Sequence, residues 1–221
     1  MSDKKLTKNQ IEIIKFILDK HILRLTPFEP ITYTKGDIGP FYMDIRLLYS
    51  YPIVRRMIIK EFMEKLKINT LEFDTVAGVA TGAIGWAALI AAEIDYPMIY
   101  IRKENKKYGS NKLVEGVLKE NQKVLVIEDV IFTGNSCIEA CANIQALGAE
   151  TVACFSILNC DTKVSKKAFN KQNTLFYSLL DATDFANIAF QTNYLNKMEY
   201  DVTMDWIANP EGWSPDRLNK L

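Results

Sequence analysis

The stretch KVLVIEDVIFTGNS, residues 123–136, constrains the fold more than any other part of the chain. Val124, Leu125, Val126 and Ile127 form an unbroken apolar run rich in β-branched side chains, so a strand here needs cover on both faces. Adjacent carboxylates, Glu128 and Asp129, follow at once, and the polar loop through Thr133, Gly134, Asn135 and Ser136 leads into a helical pattern. Strand, polar turn and helix in that order form the repeating unit of a parallel sheet with helices on both sides.

The unit recurs along the chain. Residues 73–80 (FDTVAGVA) read as a buried strand, followed by a glycine-broken turn and a small-residue helix over 83–94. Residues 97–102 form the next strand and 123–128 another, a helix covers 136–147, and Gly148 stops it. Strands over 151–158 and 174–179 complete the set, and the tail after Asp181 is mostly helical. At the N-terminus Thr7 and Gln10 form a capping-box pair, and Ile14, Ile17, Leu18 and Ile22 recur at helical spacing, which predicts a helix over 8–24. Prolines 27, 30 and 40 with glycines 36 and 39 break residues 26–50 into short strands and turns. Ser50 and Pro52 then open a helix to about Lys67, with Val54, Met57, Ile58 and Met63 turned inward. The expectation is a single α/β domain over 1–221, with a mostly parallel twisted sheet in 70–180 flanked by helices. In such sheets the ligand crevice lies at the carboxyl ends of the strands.

Composition removes several functions. Lys plus Arg and Asp plus Glu both number 27, and a zero net charge argues against a nucleic-acid surface. The longest uncharged apolar run, 83–92, is too short to span a bilayer, and MSDKKLTKNQ has no signal-peptide core. Cys137, Cys141, Cys154 and Cys160 make no CxxC pair and no zinc pattern, which suits reduced thiols in a cytoplasmic protein. A single histidine, His21, sits in the N-terminal helical pattern, where a helix-face role is expected. Histidine-based nucleophilic and metal chemistry is thereby set aside, which leaves carboxylates, lysines, arginines, backbone amides or a bound metal.

The 128–136 segment suits a phosphorylated sugar. Backbone N–H groups, hydroxyls and a helix N-terminus after Gly134 favour an anion, and Gly134 lets the backbone approach it. Two carboxylates beside a phosphate pocket match ribose 5-phosphate, whose 2- and 3-hydroxyls would donate to Glu128 and Asp129. No Lys-Ser/Thr pair follows the glycine and no GxGxxG occurs, so this is neither a Walker A loop nor a dinucleotide fingerprint. The plainer reading is an acidic strand end before an N-capped helix.

VLVIEDVIFTGNS resembles the phosphoribosyltransferase signature of apolar strand, two acids, two apolar residues and a Thr/Gly/Ser loop. It departs at Phe132, where Thr or Ser is usual, and at Asn135, where Gly or Thr is common, so Thr133, Ser136 and the backbone carry more of the phosphate. YIRKENKKYGSNKLVEG, residues 100–116, resembles the mobile catalytic loop of the orotate phosphoribosyltransferases, with Arg102, Lys103 and Lys106 matched and Tyr108 in the place of a histidine. Residues 33–52 resemble that family's N-terminal segment. GVATGAIGWA, residues 78–87, is similar to its diphosphate loop, with Gly82 and Ala83 in transposed order. The resemblance covers about 26–160.

The resemblance implies a type I phosphoribosyltransferase fold, with a small hood formed by residues 1–50 and the C-terminal tail. It implies transfer of a phosphoribosyl group from 5-phosphoribosyl 1-diphosphate (PRPP) to orotate, giving orotidine 5-phosphate and diphosphate in pyrimidine synthesis. Lys106, Arg102, Lys103 and Asp129 are the implied catalytic residues. Glu128, Asp129, Thr133, Gly134, Asn135 and Ser136 take the ribose and 5-phosphate. Arg102, Lys103, Lys106, Tyr108, Thr81 and Gly82 meet the diphosphate. Phe41, Tyr42, Lys35 and Thr133 meet orotate, although ordinary core packing competes for the two aromatics. Thr34 and Cys160 stand where one branch of the family carries an orotate-binding Lys and Arg. Arg46 either pairs with a carboxylate or orders the base site. The implied cofactor is Mg²⁺, held mainly by PRPP without direct protein ligands, and the implied assembly is a homodimer with shared active sites. The alternatives are a transferase for a purine or other nucleobase, and a non-catalytic PRPP sensor, which would dispense with the lid cations.

Overall fold

The computed structural model describes residues 6–32, 38–102, 113–160, 163–210 and 213. In chain order the elements are α1 (Lys8–Asp19), β1 (Leu23–Leu25), β2 (Ile31–Thr32), β3 (Ile38–Gly39), β4 (Phe41–Met43), a 3-10 turn (Ile45–Ser50) and α2 (Pro52–Asn69). There follow β5 (Thr75–Val79), α3 (Ile84–Ile94), β6 (Met98–Ile101), β7 (Val114–Glu115), β8 (Lys123–Ile131) and α4 (Asn135–Ala146). The chain continues through β9 (Glu150–Asn159), α5 (Lys163–Gln172), β10 (Phe176–Asp181), α6 (Ala182–Gln191) and α7 (Lys197–Ala208). It divides into two compact units, one of residues 1–58, 160–163 and 180–221, the other of 59–159 and 164–179.

In the first unit α1 begins as the sequence predicts. Thr7 accepts from the Gln10 amide at 3.0 Å while the Gln10 side chain accepts from the Thr7 amide at 2.9 Å, and Ile13, Ile14, Ile17 and Leu18 form its buried stripe. The helix ends at Asp19, short of the predicted residue 24. His21 adopts φ +52°, its amide donates to Leu18 O and the Ile22 amide to Ile17 O, the two bonds of a Schellman stop. His21 therefore lies past the helix, with Nδ1 3.3 Å from the Tyr194 hydroxyl. β1 and β4 pair antiparallel with Leu25 opposite Phe41, and β2 pairs with β3. Helices α6 and α7 each open on a capping box, Asp181 with Asp184 and Asn196 with Glu199. α6 packs against both α1 and α7.

The second unit is built on a six-stranded sheet of order β10-β9-β8-β5-β6-β7. β8 lies parallel to both β5 and β9, β5 lies parallel to β6, and only the short β7 is shown antiparallel, on β6. Val124 and Val126 join the buried cluster formed with Cys137, Ala140 and Ile144 of α4 and Cys154 of β9. Alternation along the strand sends Leu125 and Ile127 to the opposite face. On β9 Phe155 meets Phe62 of α2 at 5.9 Å and Tyr177 of β10 at 4.8 Å. Of the predicted stripe of α2, Val54 and Ile58 are buried and Met57 and Met63 half-buried, while Phe62, which the prediction left out, is fully buried. Two elements escaped the sequence reading, β7 and α5. The two residues of β7 are too few to show alternation, and the lysine-rich KVSKKAFNKQ of α5 reads as a polar connection.

Candidate active site

β8 does not end at Glu128. It runs on to Ile131, held by β9, with Glu128 opposite Ser156 and Ile131 opposite Asn159. β5 stops at Val79 after pairing Gly78 with Ile127, so beyond Ile127 the β5 side of β8 is left to the loop 80–83. The paired acids thus belong to an extended strand, and consecutive side chains of a strand point to opposite faces.

The two carboxylates serve different loops. Glu128 lines a cavity of about 120 Å³ with Thr133, Gly134, Asn135 and Ser136, closed by Ile131, Phe132 and Cys137. That space is roughly ten times the ~10–15 Å³ needed to admit one water. Asp129 is not among its lining residues; its carboxylate lies against Gly82 in the loop between β5 and α3. The Asp129 amide donates to Glu128 Oε1 at 3.1 Å and the Val130 amide to Asp129 Oδ1 at 2.8 Å. Each acid is oriented by the backbone that follows it, and Glu128 is only 6% exposed.

Gly134 supplies the turn from strand to helix. It is the N-cap of α4 with φ +84°, a conformation that costs an L-residue about 1–2 kcal/mol. No side chain caps the α4 N-terminus, although the Asn135 amide reaches Thr133 Oγ1 at 3.5 Å. The first turn of α4 therefore presents amides and the positive end of its dipole to the cavity, the requirement for an anion. Behind the loop Phe169 of α5 stacks on Phe176 at 4.6 Å with the rings 9° from parallel.

The loop 80–83 borders Asp129 rather than the cavity beside Glu128. Thr81 is exposed, Gly82 half-buried and Ala83 fully buried, and the Ala80–Thr81 peptide bond is cis. Arg102 follows β6; its amide donates to Leu113 O at 2.8 Å and its guanidinium lies 3.4 Å from Glu115. Arg102 also borders a small recess with Ser136, Glu139 and Asn143 of α4. Lys35, Lys103, Lys106 and Tyr108 lie outside the described residues.

In the first unit the two candidate aromatics part company. Phe41 is a core residue at 4% exposure, stacked on Trp206 with centroids 5.7 Å apart and edge-on to Phe185 at 6.5 Å. Its ring packs in the core between Trp206 and Phe185, the packing role that competes with the expected contact to orotate. Tyr42, next along β4, is half-buried with Arg24 5.4 Å from its ring. Arg46, 61% exposed at its side chain, pairs with Asp44 through Nε at 2.7 Å and Nη2 at 3.0 Å, an exposed ion pair rather than one with a core carboxylate.

Cys137 and Cys141, four apart on α4 as the sequence spacing suggests, meet Cys154 of β9, which the sequence did not place beside them. Cys141 Sγ is 3.6 Å from Cys154 Sγ. Hydrogen bonding to Cys137 and Cys141, then burial, pushes the Cys154 thiol well above its ordinary value. With Cys154 holding its proton, its hydrogen bond lowers half-buried Cys141 despite burial. In Cys137 the bond to Cys154 also lowers the thiol, but burial and the charges of Glu128 and Asp129 leave it raised. No group of three or more His, Cys, Asp or Glu able to hold a metal occurs among the described residues.

A parallel sheet with an acid-bearing strand that runs into an anion loop at a helix N-terminus has the groups to hold a phosphorylated sugar. The family model described as "Phosphoribosyl transferase domain" matches residues 50–195. The chain is 34% identical over 204 residues to an orotate phosphoribosyltransferase of Coxiella burnetii, covering 92% of this chain and 98% of that protein. It is 36% identical over 205 residues to an orotate phosphoribosyltransferase of Bacillus subtilis, covering 90% and 95%. Its fold matches a structure of Leishmania donovani UMP synthase with a TM-score of 0.77 at 25% identity, covering 90% of this chain and 42% of that one. The chain belongs to the phosphoribosyltransferase family, and within it to the orotate phosphoribosyltransferases.

Proposed function

We propose that the protein transfers the phosphoribosyl group of PRPP to orotate, forming orotidine 5-phosphate and diphosphate. The observation that carries this reading is the cavity shared by Glu128 and the Thr133–Ser136 amides, an acceptor for a sugar hydroxyl beside a cradle for a phosphate. The 5-phosphate sits on the first turn of α4 with Thr133 and Ser136 donating. Glu128 accepts from one ribose hydroxyl and Asp129 from the other, placing the anomeric carbon toward the 80–83 loop. Breaking the bond to diphosphate builds positive charge on the sugar ring and negative charge on the leaving oxygens. The two carboxylates answer the first charge, and Arg102, Lys103 and Lys106 the second. No side-chain nucleophile is required, so the position of His21 beyond α1 costs the chemistry nothing.

The donor set suits Mg²⁺, a hard cation that takes oxygen ligands and keeps several waters. It would be held mainly by the diphosphate oxygens of PRPP, without direct protein ligands, and would neutralise charge on the leaving group. Orotate recognition by Tyr42, Lys35 and Thr133, a homodimer in which Lys106 serves the neighbouring site, and a cytoplasmic setting complete the proposal on the strength of family membership. No helix among the described residues is long and apolar enough to cross a membrane. The assay is loss of orotate absorbance with PRPP and Mg²⁺. Turnover of orotate is expected; turnover of adenine or hypoxanthine with none of orotate would transfer the assignment to a purine enzyme.

A further inference from the structure

Gly82 and Asp129 occupy neighbouring positions that admit only one side chain. A Cβ built on Gly82 would overlap Asp129 Oδ2, and would lie 2.6 Å from Cγ and 3.1 Å from Oδ1. The carboxylate thus fills the volume that any other residue at 82 would claim. It is not free to move aside at no cost, since Oδ1 accepts the Val130 amide at 2.8 Å. The loop is equally constrained: Ala83 is fully buried, its amide bonds Val79 O at 3.2 Å, and the Ala80 amide bonds Ile101 O at 2.8 Å.

We infer that Gly82 is a positioning residue for Asp129. By leaving its side-chain volume empty it lets the carboxylate lie over the 80–83 loop, so that the acid of β8 and the loop after β5 form one mechanical unit. Glu128, facing the phosphate-loop cavity, is outside this pairing. The consequence for turnover rests on the PRPP reading: Gly82 sets PRPP affinity through Asp129 rather than through a contact of its own.

The test is a double-mutant cycle of Gly82→Ala and Asp129→Ala in the full-length chain, read in two ways. Urea denaturation without ligand reports the geometry, and titration with PRPP and Mg²⁺, together with KM values, reports the function. In the presence of Asp129, Gly82→Ala is expected to weaken PRPP binding and raise KM for PRPP at least about fivefold, with KM for orotate unchanged. On the Asp129→Ala background the same substitution is expected to change PRPP affinity less than about twofold and to leave the denaturation midpoint unmoved. Equal penalties in both backgrounds would overturn the coupling, as would a rise in KM for orotate matching that for PRPP. Should Gly82→Ala fail to fold, refolding of Gly82→Ala/Asp129→Ser supports the pairing, and continued unfolding refutes it. A wild-type chain that binds no PRPP would remove the transferase reading, while the ligand-free cycle would still decide the Gly82–Asp129 relationship.

Discussion

Phe169 stands where a side chain on Gly134 would go: a Cβ at 134 would lie 3.1 Å from Phe169 Cε2. The N-cap of the phosphate-loop helix is thus restricted twice, by φ +84° and by a ring that is itself stacked on Phe176.

Gly134→Ala is therefore expected to lose about 1–2 kcal/mol from the left-handed backbone alone, with the ring contact adding to it. Because the substitution also shifts the amides that line the cavity, KM for PRPP should rise. Urea denaturation and initial rates measured on one preparation check both, and an unchanged midpoint would contradict the restriction.

Lys106 is assigned to the diphosphate by family membership, so Lys106→Ala tests the lid chemistry. Removal of one preorganised donor aimed at developing negative charge typically costs about 10²–10³-fold in kcat. That loss is expected with PRPP binding retained in calorimetry, and near-normal turnover would remove the lid mechanism.

Phe41→Ala separates core from site. With the ring stacked on Trp206 the expected cost is about 3–5 kcal/mol of stability. The milder Phe41→Leu should fold, with KM for orotate unchanged. A selective rise in that KM would return Phe41 to the base site.

Cys141 should be the thiol beneath the helix that reacts first. It is half-buried and its thiol is lowered by the hydrogen bond from Cys154, whereas Cys137 and Cys154 are buried and raised. Alkylation by iodoacetamide followed by peptide mass spectrometry should label Cys141 before either neighbour. On Cys154→Ala the labelling is expected to need higher pH, because the hydrogen bond that stabilises the Cys141 thiolate is removed.

Asp44 provides a pH prediction of defined sign. Hydrogen bonding from Arg46 holds its carboxyl below the ordinary 3.8. A carboxyl depressed on folding contributes stability that is present above its unfolded pKa and lost as pH falls through the folded one. Asp44→Asn keeps an acceptor for the Arg46 amide but removes the charge. Its deficit should be no more than about 1 kcal/mol at pH 7, since Arg46 is 61% exposed. Denaturation curves of the two proteins should converge as pH is taken below 3.8.

Local chemistry was legible in the residues. The apolar run 124–127 required a strand covered on both faces, Thr7 with Gln10 placed a helix start, and the Gly134 turn marked the passage from strand to helix α4. These follow from side-chain period, capping and backbone freedom, all of which act within a few residues, as does the stop of α1 at His21 that the sequence reading placed too late. Other features depended on partners far along the chain. The core packing of Phe41, for example, rests on Trp206, more than 160 residues further along the chain. The acids of residues 128 and 129 appear side by side in the sequence as a matched pair, yet β8 continues to Ile131 and places one at the phosphate-loop cavity and the other against Gly82. Adjacency could not show this, because the faces of a strand are distinguished only by what the folded chain packs against each of them.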